Sequence, residues 1–105
     1  MDSDEIKPTR ITIDWTDETK TKSEPTPDPA KVDKKGSVEF LNNLGMDVDV
    51  VADAGLFPSN KEFTLKPGQP HEPLKVGSPG KKGYDYDDGT SGPNVRPRRG
   101  TIDVS

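Results

Sequence analysis

The apolar residues of this 105-residue chain are few, and most of them recur at every second position. Ile11, Ile13 and Trp15 alternate with Thr12 and Asp14, and Val38 and Phe40 flank Glu39. Met46, Val48, Val50 and Ala52 share one phase, with Asp47 and Asp49 on the other. Phe63 with Leu65, Leu74 with Val76, Tyr84 with Tyr86, and Ile102 with Val104 follow the same rule. Successive side chains of an extended backbone point to opposite faces, so each segment reads as a strand with one wet and one buried side. A helix would need apolar residues three and four apart. No window of about eleven residues offers that spacing without a Gly or Pro, which leaves at most one helical turn, near Asp53 to Leu56.

Turn signals separate the segments: Lys35-Gly36, Asn42-Asn43-Leu44-Gly45, Pro58-Ser59-Asn60, Lys66-Pro67-Gly68, Ser78-Pro79-Gly80 and Asp88-Gly89. Short strands at this spacing predict an all-β fold, an antiparallel Greek-key sandwich of about seven or eight strands whose first strand covers residues 10–15. Two stretches break the pattern. Residues 16–29 hold no apolar residue but include Pro25, Pro27 and Pro29, and within 88–99 only Val95 is apolar. Neither can offset its ordering entropy by burial, so both are expected to be mobile loops. The organisation expected is a flexible arm at 1–9 and a single domain at 10–105. Leu, Ile, Val and Phe supply only 20 residues, so the core is small.

The inventory excludes several chemistries. With no cysteine there are no disulfides, thiolate metal sites or cysteine nucleophiles. His71 is the only histidine and lies between Pro70 and Pro73 in a polar loop, so it reads as an exposed loop residue. No apolar run approaches the roughly 18 residues of a membrane span. The opening Met1-Asp2-Ser3-Asp4-Glu5 is acidic where a signal peptide is basic and then apolar, which leaves the compartment open between cytoplasm and an exported form that has lost a leader.

Three constellations could still carry chemistry. Asp85, Asp87 and Asp88 before Gly89 offer oxygen ligands on a turn, the raw material of a calcium site. The twelfth position counted from Asp85 is Arg96, however, so the EF-hand spacing fails and a solvated strand face is the better reading. Arg96, Arg98 and Arg99 form a basic cluster that suits carboxylate recognition on a partner, or pairing with Asp85, Asp87 and Asp88 across the loop. A net charge of −4 argues against nucleic acid. Trp15, Phe40 and Phe63 fall on the inward phase, whereas Phe57, beside Pro58, could be exposed at the end of the sandwich. The Asp47 and Asp49 pair has no nucleophile or oxyanion donor near it in sequence and reads as a polar outer face.

From Pro29 onward the order of the pieces is telling: Val32 to Gly36, Val38 and Phe40, Asn42-Asn43-Leu44-Gly45 and the strand to Val51, then Phe63-Thr64-Leu65-Lys66-Pro67-Gly68, Gly83-Tyr84-Asp85-Tyr86 and Gly100-Thr101-Ile102-Asp103-Val104. Together they resemble the cupredoxins, the plastocyanin-like sandwiches. The resemblance implies that scaffold, and it places Val48 where blue-copper members carry the first histidine and Asp88 where they carry the cysteine. Residues 89–99, which would supply the second histidine and a methionine, contain neither. The set of soft sulfur and imidazole that trigonal copper requires is missing.

The function expected is a non-catalytic binding or structural module, monomeric and without cofactor, that engages a protein partner through the loop end at residues 44–47 and 88–99, with Arg96, Arg98, Arg99 and Asp88 as contact residues. The alternative is a metal-binding module, holding calcium through Asp85 to Asp88 or copper weakly through His71.

Overall fold

The computed structural model describes residues 7–90 and 97–105. Nine strands follow one another: β1 (Thr9–Trp15), β2 (Ser23–Thr26), β3 (Ala30–Val32), β4 (Ser37–Asn42), β5 (Val48–Ala52), β6 (Glu62–Leu65), β7 (Leu74–Lys75), β8 (Gly80–Asp87) and β9 (Arg98–Val104). They build a four-stranded sheet in the order β2-β1-β4-β7 and a five-stranded sheet in the order β3-β9-β8-β5-β6. The all-β sandwich is the one the alternation dictates. Both sheets are nonetheless mixed, because β1 runs parallel to β4 and β3 runs parallel to β9. The single turn near Asp53 is present, closed by the Leu56 amide donating to the Asp53 carbonyl at 3.1 Å.

Phase decides burial throughout. Val48, Val50 and Ala52 are buried while Asp49 and Val51 on the same strand face water. Ile11 and Ile13, Val38 and Phe40, Tyr84 and Tyr86, and Ile102 and Val104 complete the inner layer. Phe40 sits at its centre, with ring centroids 5.2 Å from Tyr84, 5.7 Å from Phe63 and 6.1 Å from Phe57. Phe57, for which the sequence leaves exposure at the end of the sandwich open, is buried, with Phe40 and Phe63 against its ring. Trp15 packs against the edge of the core and donates its indole N–H to the Leu44 carbonyl at 3.1 Å, tying β1 to the turn after β4.

The stretch 16–29 is not simply a loop. Its residues Ser23 to Thr26 pair antiparallel with Thr12 to Trp15 of β1, and Ser23 and Pro25 are buried. The strand escapes an apolar count because it occupies a sheet edge, where proline is tolerated, and buries a hydroxyl that finds its hydrogen bond inside the fold. Pro27, Asp28 and Pro29 then carry the chain to the other sheet, where β3 begins at Ala30. Within 88–99, Arg98 and Arg99 already belong to β9, and residues 91–96 lie outside the described residues, as do the first six of the expected N-terminal arm.

Candidate functional site

The loop end of the sandwich is organised by two buried polar side chains. Asn42 closes β4: its amide donates to the carbonyls of Met46 at 2.6 Å and Leu65 at 3.0 Å, and its oxygen accepts the Leu44 amide at 2.8 Å. This fixes the turn that leads into β5. Asp88, the residue after β8, keeps the inward phase of Tyr84 and Tyr86 and is 1% exposed. A carboxylate in that position must be fully bonded, since a buried unpaired charge is costly.

It is fully bonded. Ser23 of β2 donates its hydroxyl to Asp88 Oδ2, and the same Ser23 oxygen lies 3.3 Å from the Tyr86 hydroxyl. Thr90 gives its amide to Oδ1 at 2.9 Å and its hydroxyl to the same oxygen. Arg98 of β9 approaches Oδ2 through Nε at 3.3 Å, and its Nη2 reaches the Thr21 carbonyl at 3.1 Å and Thr90 Oγ1 at 3.2 Å. The cluster thus joins β2, β8, β9 and the turn at Gly89. That turn favours glycine because φ there is +84°, a left-handed conformation that residues with a Cβ rarely adopt.

Burial pushes the Asp88 carboxyl upward, but the hydroxyls of Ser23 and Thr90, the Thr90 amide and the Arg98 charge together outweigh it and hold the group below the ordinary value of 3.8. Asp53 is held low as well, by the Gly83 amide and then by Arg99. Arg99 itself lies over Gly83 on the outside of the sheet and bridges two carboxylates, Asp85 at 3.0 Å and Asp53 at 2.6 Å. Because Asp53 and Asp88 take up protons more readily when unfolded, their stabilisation is complete above pH 3.8 and fades as the pH falls through their depressed values. A melting temperature that is flat down to about pH 5 and then drops is the expected result, with a shallower acid limb in Asp88→Asn.

No protein-family model and no curated protein sequence matches the chain. Solved structures do. A reduced amicyanin variant with a proline-to-phenylalanine replacement superposes with a TM-score of 0.61 over 93% of this chain and 82% of that one, at 21% identity. A second amicyanin variant, in a reduced Cu(I) form, gives 0.62 at 19% identity over the same shares. Lac15 from a marine microbial metagenome gives 0.51 at 14% identity, with this chain spanning 32% of its length.

The chain has the cupredoxin fold.

Cupredoxin copper does not fit the residues that stand at the two ligand positions the resemblance identifies. Val48 is a fully buried hydrocarbon in the core. Asp88 already accepts hydrogen bonds from Ser23 and Thr90 and faces a guanidinium, which opposes any cation placed beside it. His71 does not replace the missing imidazole: its ring lies 5.1 Å from that of Phe63 and its Nδ1–H donates to the Glu72 carbonyl at 2.8 Å. The calcium reading fares no better, because Asp85 and Asp88 point to opposite faces of the sheet and each faces its own arginine. Among the described residues no group of three His, Asp or Glu side chains could hold a metal ion.

The sequence-derived contact residues are therefore not gathered on one open surface. Asp88 is interior, Arg98 is bonded to it, Arg99 is engaged by Asp53 and Asp85, and Arg96 lies outside the described residues. An open groove of about 490 Å³ does run beside the cluster, but Lys22, Arg98 and Arg99 share its lining with Glu24 and Asp28, and Asp28 accepts the Thr101 amide at 2.9 Å. Its charges are mixed, which gives it no preference for an anion. Alternation could have located Asp88, since it continues the phase of Tyr84 and Tyr86; the charge of its side chain hides the signal.

Proposed function

We propose that the chain is a non-catalytic binding or structural module on a cupredoxin scaffold, working through a protein partner rather than through a metal. The observation that supports this reading is the state of Asp88. The side chain that the resemblance sets at the position of the sulfur ligand is interior, holds a negative charge and spends it on Ser23, Thr90 and Arg98, so this end of the sandwich is closed by an internal ion pair. The loop end at 44–47 and 88–90 then serves as a rigid frame for neighbouring surfaces instead of a redox centre.

The test is calorimetric and spectroscopic. Metal-stripped protein titrated with Cu(II) and with calcium should show no heat of binding tighter than about millimolar and no visible charge-transfer band. Stoichiometric micromolar binding of either ion would overturn the reading.

A further inference from the structure

The chain is acidic overall, yet lysines gather at the end of the sandwich remote from Asp88, where β3 passes into β4 through the turn at residues 33–36. The Gly36 amide closes that turn on the Asp33 carbonyl at 2.7 Å, the Lys34 amide donates to the Ser105 carbonyl at 2.9 Å, and the Val76 amide donates to the Gly36 carbonyl at 3.3 Å. These bonds draw the chain after β7 and β9 to the turn. Lys34 and Lys35 stand on it, exposed, and Lys75 lies across from Ser37 at the start of β4. Lys31 and Lys81 flank Asp103 on the outer face of the five-stranded sheet. Among the described residues none of these five ammonium groups takes part in an ion pair. The nearby carboxylates do not neutralise them: Asp33 accepts the Lys35 amide on Oδ1 at 2.8 Å, and Asp103 is one charge between two lysines. Like charges gathered around one turn repel one another, and an anion brought to the turn relieves that repulsion. Because the whole chain carries −4, the surface outside this end is more negative still, and the field is polarised along the molecule.

We propose that this lysine end docks a short acidic segment of a protein partner, rich in Asp and Glu. Lysine is a compact charge on a flexible stem, which suits carboxylates presented in varied geometry rather than one fixed fork. Lys31 and Lys81 stand two strand spacings apart, about 10 Å, a span that three or four extended residues of a partner match. Nucleic acid is the poorer occupant, because single-strand binders add exposed stacking rings, whereas Phe40, Phe57, Tyr84 and Tyr86 are buried. A lipid surface is poorer as well: attachment there gains from inserted apolar side chains, and Val51, the exposed large apolar side chain among the described residues, sits opposite Glu62 and Asp85 instead. The proposal rests on the binding-module reading but is tested separately: metal titration leaves it untouched, and its failure leaves the metal question where it stood.

The experiment uses the full chain, labelled with ¹⁵N, and a capped peptide in which Glu alternates with Ser. Saturable amide shifts confined to residues 31–37, 75–81 and 103–105 are expected, weakened by added salt. Lys34→Glu with Lys35→Glu, both at exposed turn positions, should lower affinity at least tenfold, and Lys31→Gln with Lys81→Gln should lower it by a smaller factor. Lys20→Glu with Lys61→Glu makes the same change in net charge away from this end and should leave binding within twofold of the parent. Absence of saturable shifts, shifts spread over other lysines, full binding by the Lys34 and Lys35 variant, or an equal loss in the Lys20 and Lys61 variant would each overturn the proposal. Tighter binding to phosphatidylserine vesicles or to single-stranded DNA than to the peptide would overturn it in favour of those surfaces. Spectra of the protein alone that change with dilution at these residues would assign the lysines to the acidic surface of a second copy. A tenfold gain on deleting residues 1–6 would assign them to the chain's own Asp2, Asp4 and Glu5.

Discussion

Asp88→Ala is expected to destabilise the protein by about 3 kcal/mol, the lower end of what breaking a buried ion pair costs. The lower end applies because the Arg98 side chain keeps 28% of its exposure and can recruit water once its carboxylate is gone. The Ser23 hydroxyl, only 2% exposed, has the Tyr86 oxygen to turn to, but Thr90 loses both of its bonds to the carboxylate. For a domain of this size the loss corresponds to a fall in melting temperature of roughly 12–24 °C, readable from Trp15 fluorescence. Replacing both partners, as Asp88→Leu with Arg98→Leu, should recover most of it, because an apolar pair of similar volume removes the orphaned charge. A single-variant loss below about 1 kcal/mol would show that the pair does not hold the loop end together.

Phe40→Ala is expected to be more severe still, at about 3–5 kcal/mol from cavity and transfer costs together. Its ring is fully buried and meets Tyr84 and Phe57 edge-on, at interplanar angles of 76° and 85°. Such pairs add about 0.5–1.5 kcal/mol beyond area burial. Small domains hold only about 5–15 kcal/mol in total, so this variant should be substantially unfolded at room temperature in mild urea. Phe40→Leu, which retains most of the volume, should unfold at an intermediate urea concentration. Equal midpoints for wild type and Phe40→Ala would mean that the aromatic cluster is peripheral.

Much of the sandwich is legible in the sequence because burial follows phase. The inward residues Ile11 and Ile13, Val38 and Phe40, Val48 and Val50, Tyr84 and Tyr86, and Ile102 and Val104 are sealed between the sheets, and their strands stand where the alternation puts them. β2 is hidden because its inward residues are Ser23 and Pro25, neither of which registers as core. The parallel pairings are invisible for another reason: partners such as Ala30 and Ile102 are related only through the rest of the fold. At the loop end, the resemblance directs attention to Val48 and Asp88, and both are buried. What replaces the metal depends on Ser23, Thr90 and Arg98 converging from separate elements, and no local spacing announces that convergence.

The union of β3 with β9 has a kinetic consequence. Among the described strands, Ala30 to Val32 pair with Ile102 to Val104 alone, and the Ser105 amide donates to the Val32 carbonyl at 3.0 Å beyond that. Closing so long a span costs chain entropy before any contact returns it. The five-stranded sheet is expected to form first among β5, β6, β8 and β9 and to accept β3 late, with folding on the milliseconds-to-seconds scale of domains rich in non-local pairings.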